Sequence, residues 1–168
     1  MRVAVTGTPG TGKTTAAEQL ETDLDVISLN DLIRSEELTT GVDEDRGSLV
    51  ADIDAIAARL SDREDIAVES HLAHHLDVAR VVVLRCHPER IEERLLDRGE
   101  SPDSARENAE SEALDLILSE AVRIHGEDSV YEIETSDHPP AETANAIEAT
   151  IHGDREPSAG TVDYTDYL

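Results

Sequence analysis

The chain has 168 residues, a length that suits one α/β domain, and 38% of them are apolar, enough to fill one core without any Phe or Trp. A formal net charge of −25 excludes recognition of bare nucleic acid through a phosphate-neutralising surface and favours a basic protein as partner. The single cysteine, Cys86, excludes an intrachain disulfide and reads as a small buried side chain at a strand end.

Arg2–Thr6 (RVAVT) is a short β-branched run of the kind found in buried parallel strands. A Gly-rich turn follows, then a helical segment from about Lys13 to Asp23. Val26–Leu29 reads as a second strand, and Asn30 or Asp31 can cap the helix that carries Leu32, Ile33 and Arg34. The pattern lapses into polar loop from Thr39 to Gly47, after which Leu49, Ile53, Ile56 and Leu60 recur at helical spacing. Ile66–Val68 is a short third strand and Arg80–Leu84 (RVVVL) a clear fourth. Pro88 opens a helix ending near Gly99, and Pro102 opens another with Leu114, Ile117, Leu118 and Val122 on one face. Val130–Ile133 is a fifth strand and Ala141–Ile151 a last helix. Gly153–Leu168 is acidic and nearly unpatterned, and reads as a flexible tail.

Strands alternating with helices predict an α/β fold: a five-stranded parallel sheet with helices on both faces, in a single domain over residues 1–152. No stretch is long and apolar enough to span a membrane, and the N-terminus reads directly as a strand, so a cytoplasmic location is expected. The acidic bias is that of a chain adapted to very high salt, where carboxylates keep the surface hydrated.

Gly7-Thr-Pro-Gly-Thr-Gly-Lys-Thr14 fits G-x-x-x-x-G-K-[ST], directly after a strand and at the start of a helix. Gly7, Gly10 and Gly12 let backbone N–H groups turn inward around phosphate oxygens, and Pro9, Thr11 and Thr15 complete the cradle. The helix N-terminus adds its positive dipole end. Lys13 reaches the β- and γ-phosphates of ATP, and the Thr14 hydroxyl can ligate Mg²⁺. The bland alternative is a turn that binds nothing. The strand–loop–helix context speaks against it, as does the fact that Lys13 is the chain's one lysine.

Glu69 stands at the C-terminal edge of the third strand, where ligands of open α/β sheets bind, and is the carboxylate for the metal; a solvated glutamate is the alternative. His71, His74 and His75 follow in H-x-x-H-H spacing. No cysteine lies nearby and no second ligand pair has zinc spacing, so the favoured reading is a loop lining the nucleotide site. His71 there either orients water or phosphate, or is structural. Arg34 lies on the acceptor side of the cleft, and Arg94, Arg98 and Arg106 flank the Gly99-Glu-Ser-Pro turn, from which they could close over a phosphoryl group; a solvated helix face is the default for each.

With these residues in view, the chain resembles the adenylate-kinase superfamily. It is most similar to the small branch called adenylate kinase isoenzyme 6, shared by archaea and eukaryotes. The resemblance runs from Arg2 to Gly153. It rests on GTPGTGKTT at Gly7–Thr15, NDLIRSEEL at Asn30–Leu38, DEDR at Asp43–Arg46, VVLR at Val82–Arg85, RLLDRG at Arg94–Gly99 and NAESE at Asn108–Glu112. It implies a nucleoside-monophosphate-binding insert near residues 30–60, a short lid near 98–106, and transfer of the γ-phosphoryl group of ATP·Mg²⁺ to AMP, with ATPase activity alongside. It also implies a role in maturing the small ribosomal subunit through a basic ribosomal protein. By carry-over, Arg34 holds the acceptor phosphate, Arg98 sits at the lid, and Glu69 with His71 fill an Asp-x-His metal and water site, with Glu in place of Asp. The arginine that ordinary adenylate kinases place after the third strand is replaced by His71-Leu-Ala-His74. Two other readings share the architecture: an ATPase that switches an assembly partner, and a small-molecule kinase such as a shikimate or gluconate kinase.

Overall fold

The computed structural model describes residues 1–45 and 48–168, Ser48 by its backbone alone. In chain order they form β1 (Arg2–Thr6), α1 (Lys13–Ala17), β2 (Asp25–Ser28), α2 (Leu29–Glu36), β3 (Thr39–Asp43), β4 (Ser48–Ala51) and α3 (Ile53–Arg59). There follow β5 (Ile66–Glu69), β6 (Arg80–Arg85), α4 (Pro88–Asp97), α5 (Pro102–Ala113), α6 (Leu116–His125), β7 (Val130–Glu134) and α7 (Pro140–His152).

The main sheet runs β2-β5-β1-β6-β7 with every pair parallel. Alternate residues of its strands feed two cores. Ala4, Val68, Val81 and Val83 face Leu29, Ile33, Ile56, Leu118 and Ala121 from α2, α3 and α6, with Leu60 just past the end of α3. Val3, Val5, Val82 and Leu84 face Ala16 of α1 and Ile147 and Ile151 of α7. A third cluster joins Cys86 to Ile91, Leu95, Ala105 and Ala109 of α4 and α5. Because β1 has β5 on one side and β6 on the other, the loop after β1 opens at the crevice where the strand order reverses.

The structure departs from the sequence reading in six places. The stretch expected as a polar loop is instead a hairpin, with β3 antiparallel to β4 and Val42 opposite Leu49. Leu49 is 61% exposed and does not belong to the following helix, because Asp52 caps α3 with its carboxylate on Ala55 N at 3.0 Å. Arg46 and Gly47, part of the DEDR motif and the expected loop, lie outside the described residues.

Helix α1 stops at Ala17, where Gln19 N and Leu20 N turn onto the carbonyls of Ala16 and Ala17. Helix α2 begins at Leu29 behind Ser28, so neither Asn30 nor Asp31 caps it; Asn30 instead accepts a hydrogen bond from Ser70 Oγ at 3.2 Å. The long helix expected after Pro102 is two helices, broken at Asp115, which takes a left-handed φ of 55°.

The segment 153–168, expected as a flexible tail, lies along β7. Ser158 N donates to Val130 O at 3.0 Å, Thr161 N to Glu132 Oε2 at 2.6 Å, and Tyr164 Oη to Glu134 Oε1 at 2.9 Å. The hydroxyls and ring of this segment do what hydropathy does not report: they satisfy carboxylates on the edge strand. Among the described residues no helix is long and apolar enough to cross a membrane.

Candidate functional site: the phosphate loop and its supports

β1 ends in Thr6 and delivers the loop 7–12 into the crevice. Gly7 has φ +149°, and a Cβ there would lie 2.6 Å from the carbonyl oxygen of Leu84 on β6, so the loop can leave between the two strands only as glycine. The Thr8 carbonyl accepts from Thr11 N (3.2 Å), Thr11 Oγ1 (2.9 Å) and Lys13 Nζ (3.0 Å). The loop is then held from outside at three points. Thr8 Oγ1 donates to Glu112 Oε2 of α5 at 2.6 Å, Arg94 of α4 donates to Gly10 O at 3.0 Å, and Thr135 Oγ1 donates to Thr11 O at 2.8 Å. With only five residues, α1 contributes little macrodipole, and the loop amides and Lys13 carry the positive character.

Lys13 is 8% exposed. Burial lowers its ammonium to about 8; Glu69 and Glu112 pull the other way, and the nearby charge of Arg98 lowers it further. Thr14 Oγ1 donates to Glu69 Oε1 at 3.3 Å, and burial raises the Glu69 carboxyl against the opposing pull of Lys13. His71 is pushed down to about 4, first by burial and then by Lys13, so it is neutral near pH 7.

Arg98 lines a cleft of about 240 Å³ together with Thr11, Gly12, Thr15, Arg94, Thr135, His138, Pro140 and Thr143. Thus Gly7, Pro9, Gly10, Thr11, Gly12, Lys13, Thr14, Thr15, Glu69, His71 and Arg98 gather at one sheet edge. Arg34 does not enter the crevice: it is exposed on α2 and pairs with Asp31, itself close enough to Glu69 to raise that carboxyl. Arg106 pairs with Glu110 at 3.0 Å on the exposed side of α5 and has no part in the loop.

Three supports escaped the sequence reading. Arg94, a candidate to close over a phosphoryl group, instead braces the loop backbone. Its four-residue spacing from Arg98, the C-cap of α4, is the signal that puts both on one face. Thr135 carries no local signal and Glu112 only its place in the NAESE stretch, and their partners lie 124 and 104 positions away.

Residues 3–115 match the AAA domain family. Over its full length the chain is 64% identical to a protein of Halobacterium salinarum provisionally named adenylate kinase, and 62% identical to a protein of the same provisional name from Natronomonas pharaonis. Each alignment covers 100% of both chains. The chain belongs to this family of AAA-domain proteins. A relative from Methanothermobacter thermautotrophicus, again provisionally named adenylate kinase, is 43% identical over 99% of this chain and 98% of its own. Among solved structures, shikimate kinase from Acinetobacter baumannii in complex with shikimate superposes with a TM-score of 0.63 over 92% of this chain and 94% of that one. At 16% identity this likeness is one of fold: a P-loop kinase-like parallel sheet with helices on both faces.

Proposed function

We propose that this chain is an adenylate-kinase-like phosphotransferase that moves the γ-phosphoryl group of ATP to AMP, giving two ADP, with hydrolysis of ATP alongside. One observation carries the reading. In a chain of net charge −25, its one lysine, Lys13, is buried directly after the Gly-rich loop, and Arg98 stands near enough to lower that ammonium further. A buried cation with a second cation nearby suits an anion with several phosphates.

In this reading the loop amides and Lys13 grip the β- and γ-phosphates, and the cleft edged by Arg98, His138 and Pro140 takes the rest of the nucleotide. A phosphate oxygen of AMP attacks the γ-phosphorus while the bond to the β,γ-bridging oxygen breaks, and ADP keeps those electrons. Phosphoryl transfer asks for positioning and charge neutralisation rather than a base. Thr14 and Glu69 fit Mg²⁺, since both offer oxygen and their oxygens already meet at 3.3 Å. When bound, that ion would neutralise charge on the transferring phosphate. Segment 98–106, the turn that joins α4 to α5 together with the start of α5, is the proposed lid, and α2 through α3 the acceptor side, with Arg34 reaching the AMP phosphate after leaving Asp31.

A second reading, an ATPase that switches an assembly partner, is favoured by a specific observation: Arg34 is engaged with Asp31, while neutral His71 stands near Lys13, able to orient water. The excess of carboxylates supports a basic small-subunit ribosomal protein as its partner.

ADP production from ATP·Mg²⁺ with and without AMP, in molar KCl, separates the two. AMP consumed one for one with ATP establishes the kinase; release of phosphate that ignores AMP and rises with the basic protein establishes the switch. The pH profile adds a check. Lys13 is cationic below about 8 and loses its proton above it, so kcat/KM for ATP is expected to decline on the alkaline side from about pH 8. No decline is expected near pH 6.5, because His71 is already neutral there. A flat profile to pH 10 would remove Lys13 from the free-enzyme titration.

A further inference from the structure

We propose that His74, His75 and Glu120 form a second site, for a first-row divalent metal ion of the zinc or cobalt class, on the sheet face opposite α1. Of the three histidines in the H-x-x-H-H spacing, His74 and His75 come to one point without His71, so a third ligand must come from elsewhere in the chain. The fold supplies one: α6 crosses beneath the turn that follows β5 and brings Glu120 to both imidazoles.

The geometry is that of ligands around a shared point. Glu120 Oε2 lies 2.9 Å from His74 Nε2 and 3.7 Å from His75 Nε2, and the three donor atoms all lie within 4.8 Å of one another. Metal–ligand bonds of about 2.0–2.1 Å in tetrahedral array put donors roughly 3.3 Å apart, between the two distances here. A simple hydrogen bond accounts for His74; His75, whose ring packs against that of His74 at 4.3 Å, has its Nε2 beyond hydrogen-bond distance of the same carboxylate oxygen and within the span of two ligands on one ion. Although the chain holds 39 acidic residues, these three are the one group of three potential ligands brought this close among the described residues.

The surroundings also suit a ligand. His74 is 1% exposed, and its Nδ1 meets Thr6 Oγ1 at 2.9 Å, so Nδ1–H can donate to the hydroxyl and leave the Nε2 lone pair for a metal. The His74 carbonyl accepts from His125 Nε2 at 2.7 Å, which fixes the turn from below. His75 and Glu120 are partly exposed, giving an ion a path in and leaving room for water as a further ligand. Two imidazoles and one carboxylate select zinc, cobalt or nickel over magnesium. The ion would clamp the turn that carries His71 to α6.

Cobalt(II) reports the site directly. Titrated into the full chain in molar KCl with excess Mg²⁺ to fill oxygen-only sites, it is expected to give one equivalent of binding with an intense visible band. His75→Ala and Glu120→Gln are each expected to weaken it tenfold or more, while Lys13→Ala leaves it unchanged, so failure here is separable from failure of the phosphate-loop reading. Zn²⁺ is expected to raise the melting temperature of the wild type and of neither ligand variant. Both variants alter partly exposed side chains, and a cooperative metal-free melt shows that they fold. Equal cobalt binding by the variants, or none by the wild type, overturns the site.

Discussion

Replacing Lys13 by methionine is expected to cut phosphoryl transfer about 10²–10³-fold, the scale seen when one preorganised donor to a developing charge is removed. The same change is expected to make the fold more stable at neutral pH. Burial holds the Lys13 ammonium at about 8 against an ordinary 10.5, so the native state disfavours the proton that the unfolded chain keeps. Below pH 8 both states are protonated and the penalty is complete, on the order of 3 kcal/mol. Between 8 and 10.5 only the unfolded state is protonated, stability rises with pH, and above 10.5 the penalty is gone. Methionine should therefore raise the denaturation midpoint at pH 7 and lose that advantage by pH 11. Chemical denaturation at both pH values, beside kcat/KM for ATP, checks the pair. A variant that is inactive and also destabilised at pH 7 would mean that Lys13 serves packing rather than phosphate. Lys13→Arg should not restore activity, because the guanidinium is wider and planar in a site closed around a point charge.

Replacing Arg85 by methionine is expected to destabilise the domain by about 3–5 kcal/mol, the usual cost of removing one partner from a buried ion network. For a domain of this size that is a fall of roughly 10 °C in Tm. Arg85 ends β6 with 1% of its side chain exposed and joins three carboxylates. Its Nε donates to Glu112 Oε1 at 2.8 Å, one terminal nitrogen donates to Asp115 Oδ1 at 2.5 Å, and the other bonds Glu132. Tyr164 of the C-terminal segment covers the guanidinium at 5.5 Å from its ring centre. Glu112 is also the acceptor that holds Thr8 in the phosphate loop, and Glu132 the acceptor that holds Thr161. One guanidinium thus ties the loop to the last residues of the chain, and its loss should weaken ATP affinity together with stability. Calorimetry and ATP titration in molar KCl test both effects. An unchanged Tm would show that the carboxylates find other donors.

The phosphate loop could be read from the sequence because its chemistry is local. Eight consecutive residues hold the glycines, the lysine and the hydroxyl that a phosphate needs, and the strand before them is buried by composition alone. The five main strands were found for the same reason: Val3 and Val5 alternate with Ala4, and Val81 and Val83 with Val82 and Leu84, so each run names its own two faces. Glu69 followed from its place at a strand end. Periodicity misled where an exposed hairpin imitated a helix, since Leu49 keeps helical spacing with Ile53 but is separated from it by the cap at Asp52.

What the sequence determined by itself is therefore the class of fold and the place of the Gly-rich loop between β1 and α1, both written in neighbouring residues. Tertiary structure alone decided which side chains support that loop, where the acidic C-terminal segment lies, and that Glu120 meets His74 and His75. Arg85 and its carboxylates stand 27, 30 and 47 positions apart, and Glu120 stands 46 from His74. A residue's pattern in the chain states which face it takes on its own element, while its partner across the fold depends on how elements cross, and that is set by the packing of the whole core.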